Sequence, residues 1–90
     1  MVSKEQYTYL KKREALKELE YLRIEFLNNR NKAYKKGISR IIIDKWTNLI
    51  SGYLLYKELC IRFKYFKYKE IMESCLKKLE DFEIKNRLGG

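Results

Sequence analysis

The chain has 90 residues, and its 21 lysines and arginines outnumber 12 aspartates and glutamates, which gives a formal net charge of +9. A chain of this length makes one small domain, residues 1–90, and buries only about 60–65% of its unfolded surface, so self-association would help to stabilise it. No histidine is present, which excludes histidine general bases, catalytic triads and histidine metal sites. We therefore expect no enzymatic activity, no cofactor and no small-molecule substrate.

Cys60 and Cys75 are the only thiols of the chain, too few for a four-thiolate zinc site. Both fall at apolar positions of helical patterns, which favours two small buried side chains in a reducing compartment, with a disulfide between them as the alternative. The first residues lack the apolar segment of a signal peptide, and the longest apolar stretch, Leu49–Tyr56, is too short to cross a membrane. These features predict a cytoplasmic protein.

The absence of proline and the presence of only four glycines predict few turns and long helices. The first helix is expected over residues 3–36, beginning at a capping box of Ser3 and Gln6. Its apolar stripe contains Tyr9, Ala15, Leu16, Leu19, Leu22, Phe26 and Ala33, and is widened by Leu10, Tyr21, Ile24 and Leu27. So wide a stripe indicates two neighbouring helices or a second copy of the chain. Asparagines make residues 28–31 a weak point, where the helix either ends, kinks or continues to Lys36, and Gly37 is suited to close the helix.

The second and third helices are expected over residues 40–64 and 67–88. Ser39 can cap the second helix, whose steps of four and three predict a heptad seam. The seam contains Ile42, Trp46, Leu49, Tyr53, Tyr56, Cys60 and Phe63. The stripe of the third helix contains Ile71, Met72, Cys75, Leu76, Leu79 and Phe82, and Gly89 ends that helix.

A bend is predicted near residues 64–67, because the apolar phase slips there and a short chain must fold back to bury its stripes. The alternative is one rod of nearly fifty residues that fuses the second and third helices. With the bend, the sequence predicts an all-α, three-helix antiparallel bundle with long helices. Two such bundles could also form a dimer.

Basic residues gather where the first two helices meet. We call Arg30, Lys32, Lys35, Lys36 and Arg40 the corner cluster. The N-terminus of a helix carries a partial positive charge of its own. Both this charge and the basic side chains would attract an anion to the corner. The alternative is a hydrated corner in which Lys35 and Lys36 only complement the end of the first helix.

The same corner has the spacing of a known motif. Ala33, Gly37, Ile38, Ser39, Ile43 and Trp46 give a small residue, a turn glycine and two apolar anchors. The segment 30–46 thereby resembles a helix-turn-helix of the transposase or phage-regulator kind. The resemblance implies that Arg40, Ile41, Asp44 and Lys45 face the major groove of DNA. Lys32 and Lys36 depart from it, since the family has apolar residues there, and a plain helix–glycine–helix corner is the alternative.

Residues 62–69, RFKYFKYK, alternate cations with aromatic rings, a combination that binds nucleic-acid backbones and bases. We call Arg62, Lys64, Lys67 and Lys69 the elbow cluster. Phe63 and Phe66 are expected to face the core, while the exposure of Tyr65 and Tyr68 is left open. Aromatic residues and arginine are also enriched at protein interfaces, so this end could instead dock a partner.

The acidic residues are scattered among lysines at helical spacing, which is typical of surface pairs. The densest patch contains Glu70, Glu73, Glu80, Asp81 and Glu83. A metal site would need carboxylates that converge, and each of these has basic neighbours within about one turn. No metal site is expected.

Taken together, the sequence predicts a small basic nucleic-acid-binding protein, with DNA favoured over RNA, from a phage, virus or mobile element. The corner cluster, with Lys45 next to it, would contact the ligand at one end of the bundle. The elbow cluster would contact it at the other end. Two further hypotheses stay open. One is an inhibitor, adaptor or immunity-type protein whose basic face binds an acidic protein. The other, which is the least favoured, is attachment to an anionic membrane surface.

Overall fold

Three helices follow one another in the computed structural model, which describes the backbone of residues 4–88 and the side chains of residues 10–88. They are α1 (Lys4–Lys35), α2 (Arg40–Arg62) and α3 (Phe66–Lys85), and the described residues contain no strand. The prediction of an all-helical chain with three helices is confirmed. Ser3, expected to cap α1, and Gly89, expected to end α3, lie outside the described residues.

α1 has 32 residues and is about 48 Å long at 1.5 Å per residue. It continues through residues 28–31 as one helix, although asparagine is a poor helix former. Ala33 is buried and Asn29 and Arg30 are half-buried on this stretch. Contacts with the rest of the protein therefore hold the helix where local propensity is weak.

Gly37 closes α1 with a positive φ of 82°, a conformation in which glycine has no steric penalty. The N–H of Gly37 donates to the carbonyl of Tyr34 at 3.1 Å, and the N–H of Ile38 donates to that of Ala33 at 3.2 Å. These two bonds define a Schellman turn. The role predicted for Gly37 is confirmed, and the half-buried Ile38 packs on the core beyond it.

The buried face of α2 consists of Ile43, Trp46, Ile50 and Leu54. The predicted seam shares only Trp46 with this face. Most of the other seam residues lie beside the buried line and are half-buried, and Phe63 is exposed. The seam was misplaced because α2 contacts a helix on each side, so its most buried line lies between the two contacts.

α2 packs closely on both other helices, whose own Cα atoms stay more than 8 Å apart throughout the described chain. The ring of Phe26 on α1 meets that of Trp46 edge to face, with centroids 5.1 Å apart. Farther along, Arg23 of α1 lies 3.6 Å from Glu58 of α2. The buried core is wholly apolar in the described residues and consists of Leu19, Ala33, Ile43, Trp46, Ile50, Leu54, Leu79 and Leu88.

Two isoleucines in one turn of α2 provide a matched test of this core. Ile43 is 0% exposed and Ile41 is 69% exposed. Ile43→Ala should lower the free energy of unfolding by about 2–5 kcal/mol, because it leaves a cavity. Ile41→Ala should change it by no more than about 0.5 kcal/mol. Urea unfolding followed by circular dichroism measures both, and equal losses in the two variants would contradict this packing.

Candidate nucleic-acid interface

Four members of the corner cluster are exposed where α1 ends and α2 begins. They are Lys32, Lys35, Lys36 and Arg40, and Lys45 is exposed one turn further along α2. Among the described residues, no carboxylate lies within 4 Å of any of these five side chains. Their charge is therefore not neutralised by intramolecular ion pairs.

The first turn of α2 adds to the positive potential of the corner. Ser39 occupies the predicted cap position but its side chain makes no capping hydrogen bond, and the first turn contains no acidic residue. The free N–H groups of a helix start carry a partial positive charge. An anion at this corner would meet both the basic side chains and the uncapped helix.

Arg30 differs from the rest of the corner cluster. It is half-buried and lines an open groove of about 370 Å³ between α1 and α2, together with Phe26, Leu27 and Leu54. Its Nε atom is buried and has no hydrogen-bond acceptor. Arg30 therefore belongs to this groove as well as to the corner.

A cavity of about 310 Å³ brings Lys32 and Lys36 together with Arg87, which follows the end of α3. We call it the corner cavity; Glu25 and Trp46 also line it. Sequence analysis missed Arg87. The only signal was the apolar Leu88 that follows it, which marks the place where the chain folds back on the core after α3.

The exposure of the α2 residues agrees with the helix-turn-helix resemblance in one respect and departs from it in another. Ala33, Ile43 and Trp46 are buried at the anchor positions, whereas the positions assigned to the DNA groove are exposed, namely Arg40, Ile41, Asp44 and Lys45. The departure is in the length of α2. It runs for 23 residues, to Arg62, and so continues well beyond the segment 30–46 that carries the resemblance.

α2 and α3 are separated by an elbow of three residues, Phe63 to Tyr65. Phe63 is 54% exposed and Phe66 is 67% exposed, so the prediction that both face the core is wrong. The half-buried Tyr68 occupies the inner position instead, with its ring centroid 6.3 Å from that of Tyr56 on α2. The helix breaks at Phe63, which leaves Phe66 as the first residue of α3 and turns it outward.

The elbow rings form a connected cluster. The centroids of Tyr65 and Tyr68 lie 5.1 Å apart, and those of Tyr65 and Phe66 lie 5.9 Å apart, both edge to face. An open groove of about 470 Å³ runs beside them, and its walls include Phe63, Lys64 and Lys69. Flat rings and cations therefore line one accessible surface.

The cations of the elbow cluster are not equivalent. Arg62 lies 3.7 Å from Glu58, which it shares with Arg23. Lys64, Lys67 and Lys69 are exposed and form no ion pair within the described chain. The three lysines carry the free charge of this end.

The described residues hold no cluster of three or more histidine, cysteine, aspartate or glutamate side chains that could bind a metal ion. Cys60 and Cys75 are free thiols, both half-buried. No helix between residues 4 and 88 combines the length and hydrophobicity that crossing a bilayer requires.

Comparison with protein families, with curated proteins and with solved structures finds no match to this chain. The site is therefore assessed from its own residues.

One carboxylate lies in an unfavourable environment. Glu83 lines a central groove of about 180 Å³ where all three helices meet, near Trp46 and Leu79. Burial, and to a smaller extent repulsion by Glu80, raises the pKa of Glu83. The folded protein thus holds this proton more tightly than the unfolded chain does.

Glu83→Gln should therefore stabilise the protein at neutral pH. The stability linked to a raised pKa is present below the ordinary range of glutamate and is lost as pH rises through the raised pKa. The gain over wild type should be largest at about pH 7 and vanish below about pH 4, where glutamate is protonated in both states. Urea unfolding at both pH values measures it, with the exposed Glu73→Gln as the charge-matched control. A gain that is the same at both pH values would contradict the cause given.

Proposed function

We propose that this chain is a non-enzymatic nucleic-acid-binding protein, suited to DNA, that acts through its corner and elbow. The observation that carries the proposal is the set of exposed, unpaired cations around the uncapped start of α2. Basic side chains without internal partners favour a polyanion, since binding releases the counterions of the phosphates. The exposed positions Arg40 and Lys45 on α2 add support for DNA.

The spacing of the two ends supports a duplex ligand. α2 connects the corner to the elbow and has 23 residues, so the two basic ends are about 34 Å apart. One turn of DNA also measures about 34 Å. A duplex lying along the protein could contact both ends through its backbone.

The elbow supports contact with bases where the strands are open. Phe63, Tyr65 and Phe66 are exposed beside three unpaired lysines. Aromatic rings stack on unpaired bases, and neighbouring cations bind the backbone of the same strand. We expect the elbow to favour single-stranded segments and the corner to favour phosphates of any sequence.

We further propose that the helices run up, down and up as an antiparallel bundle, and that the bundle dimerises. The contacts of Phe26 with Trp46 and of Arg23 with Glu58 support opposite directions for α1 and α2, since the earlier α1 residue meets the later α2 residue. The chain exposes 7396 Å², whereas a compact monomer of 11.0 kDa exposes about 5,600 Å². The excess exceeds the roughly 800 Å² that one partner buries in a stable interface.

The open groove between α1 and α2 is the face we propose for the dimer. Leu27 of α1 and Leu55 of α2 line it and are exposed, although large apolar side chains usually avoid such a position. Leu27 belongs to the part of the α1 stripe that exceeds what one neighbour needs.

A reducing cytoplasm, where Cys60 and Cys75 stay free thiols, is the compartment we propose. The abundance of lysine, isoleucine, tyrosine, asparagine and leucine supports a phage, virus or mobile element as the source.

A salt series tests nucleic-acid binding. The triple variant Lys35→Gln, Arg40→Gln and Lys45→Gln should bind duplex DNA at least about tenfold more weakly, and the salt dependence of its binding should fall by about 0.9 for each lost phosphate contact. The matched control replaces three exposed lysines of α3 by glutamine, namely Lys77, Lys78 and Lys85. Fluorescence anisotropy with duplex and single-stranded probes measures both variants. Absence of wild-type binding at low salt, or equal losses in both variants, would refute the proposal.

Dimerisation has its own test. Leu27→Asp should shift the protein to monomer, because it buries a charge at the centre of the proposed interface. Ile84→Asp is the control, since Ile84 is exposed on α3, away from the open groove. Sedimentation velocity over a dilution series without nucleic acid measures both. A wild type that stays monomeric, or a dimer that tolerates Leu27→Asp, would show that this face does not pair.

The second candidate function is an inhibitor or adaptor that binds an acidic protein, and the exposed rings of Phe63 and Phe66 favour it, since aromatic residues are enriched at interfaces. It predicts no affinity for nucleic acid at low salt. It also predicts a host-protein complex that is lost when the elbow lysines are replaced by glutamate.

A further inference from the structure

The corner cavity collects charge from two helix ends that are far apart in sequence. Lys32 and Lys36 come from the last turn and the closing turn of α1, and Arg87 follows α3. Glu25 is the one carboxylate among the side chains that line it. Three cations against one anion leave the cavity positive, which suits a ligand group that carries one or two negative charges.

Arg87 reaches this cavity from a backbone conformation that costs free energy. Its φ is +53°, in the left-handed region where a side chain is disfavoured and glycine is not. The N–H of Leu88 donates to the carbonyl of Glu83 at 2.8 Å, and the N–H of Arg87 donates to that of Ile84 at 3.3 Å. This is the same Schellman turn that closes α1.

The two turns differ in one respect. The left-handed residue of the α1 turn is Gly37, the residue that such turns usually contain. The equivalent residue after α3 is an arginine. Non-glycine residues held in sparsely populated conformations are concentrated at functional sites. The turn therefore keeps a charged side chain at a position where glycine would fold more stably.

Trp46, which lines this cavity and the central groove, has an unused donor. Its side chain is 2% exposed and its indole N–H has no acceptor. Buried donors are nearly always satisfied by a protein group, an ordered water or a ligand. A ligand oxygen or a bridging water in one of the two cavities that Trp46 lines would give this N–H its acceptor.

We propose that the corner cavity binds a single phosphate group, with Arg87 as its principal ligand and Lys32 and Lys36 as additional cations. The guanidinium fork of arginine matches two phosphate oxygens, whereas lysine acts as a point charge. This inference rests on the proposed nucleic-acid function, in which the phosphate belongs to the backbone of the strand. Free phosphate is the other source of the same chemistry.

Arg87→Gly tests the site because it should change stability and binding in opposite directions. The urea midpoint of unfolding should rise, since glycine relieves the left-handed strain. Affinity for an oligonucleotide should fall about tenfold, and the salt dependence of binding should fall by about one phosphate contact. Loss of a merely structural residue would lower both stability and affinity.

Two controls separate the charge from the backbone. Arg87→Lys keeps the charge and the strain, so it should retain part of the affinity without gaining stability. Lys78→Gln removes one exposed charge from α3 and should leave both quantities nearly unchanged. The single tryptophan of the chain, Trp46, lines the cavity, so its fluorescence reports occupancy when inorganic phosphate or an oligonucleotide is added.

The outcomes separate this inference from the proposed function. Oligonucleotide binding with the same affinity and salt dependence in wild type and Arg87→Gly would overturn the phosphate site and leave the proposed function standing. A change of Trp46 fluorescence by inorganic phosphate, lost in Arg87→Gly and without any oligonucleotide binding, would support the site and remove the function. No response of the wild type to either ligand would overturn both.

Discussion

The contact of α2 with both other helices is the constraint on which the rest of this structure depends. The Cα atoms of α1 and α3 stay more than 8 Å apart, so the closest backbone packing of each is with α2. Trp46 is central to that packing, because it meets Phe26 of α1 and lines cavities that include residues of α3. The corner, the elbow and the grooves keep their positions relative to one another because one helix carries them all.

The small apolar core of the protein explains why so many of its charged residues lie outside it. A thin arrangement of three helices has a small core, and the buried residues of the described chain are all apolar. The charged residues therefore lie outside this core, and Lys32 and Lys35 in the last turn of α1 complement its dipole. Exposed cations surround the start of α2, and no ion pair in the described chain neutralises them.

Helical periodicity and glycine placement were sufficient to predict three helices and the turn at Gly37. They could not locate the most buried line of residues on α2. A heptad seam assumes that the helix packs against one neighbouring helix, whereas α2 packs against two. They also misplaced Phe63 and Phe66, since the inward direction of a side chain depends on the residue at which the helix breaks. Arg87 could not be found at all, because a left-handed arginine leaves no compositional signal and its cavity depends on how α3 docks.

The central position of α2 also has a kinetic consequence. Because α1 and α3 each pack on the helix next to them in sequence, the close backbone contacts between helices join neighbouring helices. Chains dominated by such local contacts fold within microseconds to milliseconds. Either pair of neighbouring helices could form first, and the other helix would then add to a surface that already exists.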